Sequence, residues 1–216
     1  MSISNDDARA AKPSLDALFD SARVVHRRSF LTAGAGALGT LAVADIAEAK
    51  PATKRAPAVT EQDRKHMALA IELMRKAGVV EKTGGPFGAV LVMNGEILSA
   101  TGNSVLRDND PSAHAEVNAI RAACKKVGAP HLKGATLFSS CEPCPMCYAT
   151  AYWARVDRIY YAASWSDYAD LFDDSNISQD MKQPYNRRTV GVSQLMRADA
   201  QKVWLDYRKM PERTRY

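Results

Sequence analysis

Two short segments restrict this chain more than any property of its bulk: His114-Ala115-Glu116, and Cys141-Glu142-Pro143-Cys144-Pro145-Met146-Cys147. One histidine with a Cys-x-x-Cys pair is a ligand set for zinc. The flanking residues place both segments at helix starts. Asp110-Pro111-Ser112 opens a predicted helix that runs to Val127 and stops at Gly128, and Pro143 opens another that reaches about Arg155. With Pro143 as first helical residue, Cys144 and Cys147 stand at i and i+3, so both sulfurs can reach one ion. Unpaired N–H groups and the helix dipole favour thiolates at that position. His114 makes a third ligand, and a fourth tetrahedral position left to water marks a catalytic zinc, here one per chain. Glu116, near such an ion but not bound to it, is placed to take up a proton and pass it on.

A structural zinc with Cys141 as fourth ligand is the competing arrangement. It suits the even spacing of Cys141, Cys144 and Cys147, but Cys141 precedes the proline at a strand end, and Glu116 would then have no task. His66 and His131 have no ligand-like neighbours and read as surface or core residues. Cys124 reads as a small buried apolar residue. Tyr152 and Trp153 read as core, with one of them a possible pocket wall.

The rest of the chain supplies a scaffold. Thr60 caps a predicted helix over Glu61 to Ala77 with an apolar stripe of Met67, Ala70, Ile71 and Met74. Phe87 to Met93 and Glu96 to Asn103 read as strands joined by a turn at Asn94-Gly95. Ala135 to Ser140 and Arg158 to Ala163 read as further strands. A helical stretch follows near Asp167 to Leu171, and an amphipathic helix covers Ser193 to Lys209. Residues 172–188 show no clear period. A hairpin followed by alternating helix and strand implies an α/β fold, a three-layer α/β/α sandwich around a mixed sheet. With 46% hydrophobic and 25% charged residues, a disordered, collagen-like or disulfide-dense chain is excluded. No run of 18 apolar residues appears, so stable membrane insertion is not expected.

The beginning of the chain departs from that scaffold. Arg27-Arg28-Ser29-Phe30-Leu31 leads into a Gly/Ala-rich, mildly apolar run, and Ala47-Glu48-Ala49 offers an A-x-A site. Residues 1–49 therefore read as a twin-arginine signal peptide, which implies the export machinery as a partner and a periplasmic or extracytoplasmic destination. A non-functional signal would leave the protein in the cytoplasm. Residues 50–61 read as a linker, and 62–216 as the catalytic domain.

The two opening segments match the H-x-E and P-C-x-x-C signature of zinc-dependent nucleobase deaminases. Together with Gly85-Pro86-Phe87-Gly88-Ala89-Val90, Asn109-Asp110-Pro111, Tyr152-Trp153-Ala154-Arg155 and Phe172-Asp173-Asp174-Ser175, they resemble the bacterial guanine deaminases of the cytidine/deoxycytidylate deaminase superfamily. That resemblance implies a five-stranded central sheet and His114, Cys144 and Cys147 as metal ligands. It also implies Glu116 as proton shuttle, with Asp174 assisting proton transfer at the substrate. Phe87, Asn103 and the backbone N–H of Ala115 would contact a purine. Tyr216 would close the pocket from the other protomer of a homodimer, through a swapped C-terminal segment.

The implied reaction is hydrolysis of guanine to xanthine and ammonia. Guanosine, cytosine or another amino-heterocycle is the nearest alternative. A tRNA adenosine deaminase shares the zinc motif, and the net charge of +5, with Arg187-Arg188 and the arginines from 197 to 215, would suit RNA. Phe87 and the Phe172-Asp173-Asp174-Ser175 run argue for a small purine instead, as does export away from tRNA. The basic C-terminal region then reads as a solvated helix face.

Overall fold

The computed structural model describes residues 58–172 and 175–213. The predicted signal peptide, most of the predicted linker, Asp174 and Tyr216 lie outside the described residues. Thr60 caps the first helix, α1 (Glu61–Arg75), through a capping box. Its Oγ1 accepts from the Asp63 N–H at 3.1 Å, and the Asp63 carboxylate accepts from the Thr60 N–H at 2.8 Å. A single π turn (Lys76–Val80) ends the helix where the sequence predicts two more residues of α helix.

Strands β1 (Gly88–Met93) and β2 (Glu96–Gly102) form the predicted hairpin. Asn94 and Gly95 both take positive φ, 53° and 79°, as a two-residue turn matched to strand twist requires. A short helix, α2 (Val105–Asp108), precedes α3 (Ala115–Val127), which ends on Gly128 in the left-handed conformation. Helix α3 thus starts later than the Asp-Pro-Ser run predicts, because His114 is its N-cap. Strand β3 (Thr136–Cys141), helix α4 (Pro145–Trp153) and strand β4 (Arg158–Ala163) follow.

The sheet order is β2-β1-β3-β4, antiparallel across β2-β1-β3 and parallel between β3 and β4. Alternate residues of the central strands serve two cores. Ala89, Leu91 and Leu137 pack under α3 and α4 with Ala119, Ile120, Ala123 and Ala151. Val90, Val92 and Phe138 pack under α1 around Ala70. This is the three-layer sandwich. Burying a leucine such as Leu91 or Leu137 is worth roughly 1.5–3 kcal/mol, so these two faces dominate the domain's stability. Gly88 is required by the closeness of the layers, since a Cβ there would collide with the Ala70 carbonyl oxygen of α1.

The sheet has four strands among the described residues; the fifth strand of the superfamily pattern is not among them. After β4 the predicted helical stretch is a 3₁₀ turn, Trp165–Asp167. The region without a clear period holds α5 (Ser175–Lys182), and the last helix, α6, spans Arg197–Lys209. No residue of α6 is buried. Two expectations for side chains are corrected. Ile71, predicted in the buried stripe of α1, is 46% exposed, and Tyr152 and Trp153 are 69% and 66% exposed on α4 rather than in the core. None of the helices among the described residues is long and apolar enough to cross a membrane.

Candidate metal centre and adjoining pocket

The sheet delivers the chemistry-bearing residues to its edge near the end of β3. Chain direction reverses through Cys141-Glu142-Pro143, and α4 begins at Pro145, not at Pro143 as predicted. Cys144 precedes a proline, which disfavours α geometry, and it is held extended at φ −64°, ψ 165° as the N-cap. Cys147 then sits one turn in. His114 is the corresponding N-cap of α3, so two helix starts converge.

Among the described residues, His114, Cys144 and Cys147 form the one group of potential metal ligands. The His114 Nδ1 lies 3.7 Å from Cys144 Sγ and 3.5 Å from Cys147 Sγ, and the two sulfurs are 3.6 Å apart. Tetrahedral zinc with bonds of about 2.3 Å to sulfur and about 2.0 Å to nitrogen separates S from S by about 3.8 Å and S from N by about 3.6 Å. The three atoms therefore already stand at zinc-ligand spacing. The pair of sulfurs is electrostatically polarised. Its hydrogen bond with Cys147, aided by His114 and opposed by burial, pulls the Cys144 thiol down to about 4. Cys147 is pushed the opposite way, first by Cys144 and then by burial. A ready thiolate beside a thiol is a donor set from which a divalent cation displaces one further proton.

Cys141 lies outside this group. Its sulfur meets the Ser140 hydroxyl at 3.7 Å, and the same hydroxyl accepts from the Gly88 N–H at 2.9 Å, so Cys141 belongs to the β1–β3 seam. Cys141→Ser is expected to leave zinc uptake by the full chain unchanged, as read by metal analysis after dialysis. A metal-free Cys141→Ser protein would make Cys141 a ligand. His66 is buried on α1 against Phe138, with the Gln62 amide 3.2 Å from its ring, and His131 is exposed. Cys124 is half-buried between α3 and the core.

Glu116 is buried on the first turn of α3. Burial pushes its carboxyl up, against the lowering effect of backbone and Ser139 hydrogen bonds. The Ser139 hydroxyl, itself buried on β3, donates to Glu116 Oε1 at 3.0 Å and fixes its orientation. A carboxyl raised by burial and held in place is suited to both accepting and returning a proton.

A cavity of about 470 Å³ opens beside this centre, and His114 forms part of its wall. Phe87 and Phe172 flank it, with ring centroids 5.2 Å apart at 72°. Asn103 supplies the buried polar wall. Its Oδ1 accepts from the Val105 N–H at 3.1 Å, which leaves the amide NH₂ as the group to donate to a ligand. Gly84 permits that placement, because a Cβ there would collide with Asn103 Oδ1. Ala115 opens α3, so its N–H has no acceptor within the helix.

Sequence reasoning passed over three supporting residues. The Asn118 amide donates to Ser104 Oγ at 2.9 Å and to the Gly102 and Ala113 carbonyls at 3.2 Å, pinning the Asn103 loop to α3. Its position one turn after His114 was the available signal. Ser139 had none, reading as an ordinary strand residue. Phe172 was legible only as the start of the Phe-Asp-Asp-Ser run, and its place in the pocket wall follows from the fold.

Residues 60–163 match the cytidine and deoxycytidylate deaminase zinc-binding region. The guanine deaminase of Bacillus subtilis (strain 168) is 49% identical over 119 residues, covering 55% of this chain and 76% of that relative. The tRNA-specific adenosine deaminase of Agrobacterium fabrum is 44% identical over 102 residues, covering 47% of this chain and 66% of the relative. The X-ray structure of guanine deaminase from Bacillus subtilis superposes with a TM-score of 0.68 at 40% identity, over 71% of this chain and 98% of that one.

Proposed function

We propose that this chain, which belongs to the cytidine and deoxycytidylate deaminase zinc-binding family, hydrolyses guanine to xanthine and ammonia. The observation that carries this reading is the meeting of three zinc-spaced ligands, a buried carboxyl and an adjoining cavity lined by Phe87, Phe172 and Asn103. The likeness to guanine deaminase, which extends over nearly all of the solved relative, supports guanine as the base.

His114, Cys144 and Cys147 would hold one zinc per chain, which would acidify a bound water to a pKa of about 7. Glu116, oriented by the Ser139 hydroxyl, relays two protons in turn: one from the attacking water to the ring nitrogen as oxygen adds to the amino-bearing carbon, and one from the added hydroxyl to the amine, which leaves as ammonia. Phe87 stacks on the purine, while the Asn103 amide donates to an acceptor on its edge and Ala115 offers a backbone N–H. A base without the matching acceptor leaves the buried amide unpaired, which is the basis of selectivity. Asp174 assists proton movement at the substrate, and Tyr216 closes the pocket from a partner copy.

The test is ammonia release across guanine, guanosine, cytosine, adenine and a tRNA anticodon stem-loop. Guanine is expected to turn over fastest by at least tenfold. Preference for cytosine or guanosine would move the assignment within the family, and turnover of the stem-loop alone would make the chain an RNA deaminase.

The homodimer forms through the C-terminal segment. Helix α6 carries Ala200, Val203, Trp204 and Tyr207 at helical spacing, and Trp204 is 59% exposed. A 13-residue helix with no buried residue is marginal in water, and a second copy covers this face. A groove of about 390 Å³ beside β4, lined by Met67, Ile71, Phe138, Tyr160 and Tyr161 together with Asp63 and Arg64, accepts that face from a second copy. Trp204→Asp is expected to convert a dimer to a monomer in light scattering; a parent already monomeric contradicts the arrangement.

The twin-arginine leader exports the folded, zinc-loaded domain, which protects Cys144 and Cys147 from oxidation during assembly. Arg27→Lys with Arg28→Lys is expected to retain active enzyme in the cytoplasm. Equal activity outside the cytoplasm in that variant removes the export reading.

A further inference from the structure

The turn that presents Cys144 is gripped from outside the metal centre. Glu142 lies between the last residue of β3 and the Pro143-Cys144-Pro145 run. Its N–H donates to the Ala163 carbonyl at 2.8 Å, at the end of β4. Its own carbonyl accepts from the Trp165 indole N–H at 3.1 Å and from the Tyr168 hydroxyl at 3.4 Å. Its carboxylate accepts from the Trp165 backbone N–H at 3.4 Å. Pro143, the next residue, has no N–H to contribute. Position of the Cys144 turn therefore depends on the segment from 163 to 168.

Tyr168 does a second thing. It is buried, and its ring meets Phe87 edge to face with centroids 5.7 Å apart at 77°. Phe87 lines the cavity in edge-to-face contact with Phe172. One side chain thus touches the ligand-bearing turn with its hydroxyl and the aromatic pocket wall with its ring. The Ser-Trp-Ser-Asp run before it does not line the cavity; it forms the turn that aims Trp165 and Tyr168 at Glu142.

We propose that Trp165 and Tyr168 are positioning residues: they converge on the Glu142 carbonyl, hold the Cys144 turn in zinc-binding geometry, and through Tyr168 set the spacing between that turn and Phe87. Two donors occupy the two lone pairs of one carbonyl, so neither alone accounts for the restraint. Outer-shell partners of this kind change metal affinity by 10–100-fold in general, and here they act one residue removed from the ligand turn.

The inference rests on zinc binding at His114, Cys144 and Cys147, but its main readout needs no substrate. The zinc-loaded full chain is mixed with a chromogenic chelator, and the first-order rate of zinc release is measured beside kcat and KM for guanine. Tyr168→Phe and Trp165→Phe are each expected to speed release about three- to tenfold and to lower kcat with KM within twofold of the parent. Tyr168→Leu, which also removes the ring from Phe87, is expected to raise KM at least threefold. Tyr185→Phe removes an exposed hydroxyl from the 3₁₀ turn Tyr185–Arg187, away from the metal centre and the cavity, and serves as the control with all three quantities unchanged. Parent-rate release in both Tyr168→Phe and Trp165→Phe overturns the proposal, as does a KM shift in Tyr168→Phe equal to that of Tyr168→Leu. If the release rates follow expectation and guanine is not turned over, the substrate assignment fails and the positioning role stands.

Discussion

Glu116→Gln is expected to retain a full complement of zinc and to lose turnover by about 10²–10⁴-fold, the usual worth of a positioned general acid–base group. The change is nearly isosteric. The Ser139 hydroxyl can still donate to the side-chain oxygen it meets at 3.0 Å, so the first turn of α3 keeps its geometry. What disappears is the titratable proton site, already pushed upward by burial. Metal analysis and ammonia release on the same sample separate the outcomes. Zinc lost together with activity would make Glu116 part of the metal-holding set, and retained activity would assign the proton transfers elsewhere.

Cys147→Ala is expected to remove both zinc and measurable turnover. Cys147 is buried with Val117 and Met146 around it, so the lost sulfur leaves one ligand pair and a small apolar gap. Two ligands at 3.7 Å do not hold zinc against dialysis. Thermal melting gives a second readout. A ligand bound only to the folded state stabilises by about 4 kcal/mol at a thousandfold excess over its Kd, so the parent Tm should fall on chelation. The variant Tm should be indifferent to zinc. A Cys147→Ala protein that still takes up one zinc would revive ligation by another residue.

Local pattern made much of this molecule legible. The Asn94-Gly95 turn, the Gly128 stop and the two strands of the hairpin follow from local residue preference alone, and the structure has each. The ligands were legible because zinc chemistry demands particular residue types at particular spacings. Helix starts were less so. Pro111 and Pro143 each looked like a first helical residue, yet α3 and α4 begin later, because His114 and Cys144 act as extended N-caps. Tyr152, Trp153 and Ile71 were misplaced for a different reason. Aromatic and apolar residues at helical spacing predict a buried face only if another element covers it, and the local pattern does not say whether one does. The Glu142 clamp was invisible, since it joins Trp165 and Tyr168 to a residue more than twenty positions away.

The central claim, that this centre uses water to replace the amino group of guanine, is met most directly by isotope incorporation. Zinc-loaded protein is incubated with guanine in ¹⁸O-water, and xanthine and ammonia are quantified with the mass of the xanthine. The expected result is one ¹⁸O per xanthine, ammonia in equal amount, and neither product from Glu116→Gln. Guanine recovered unchanged from stoichiometrically zinc-loaded protein would contradict the account.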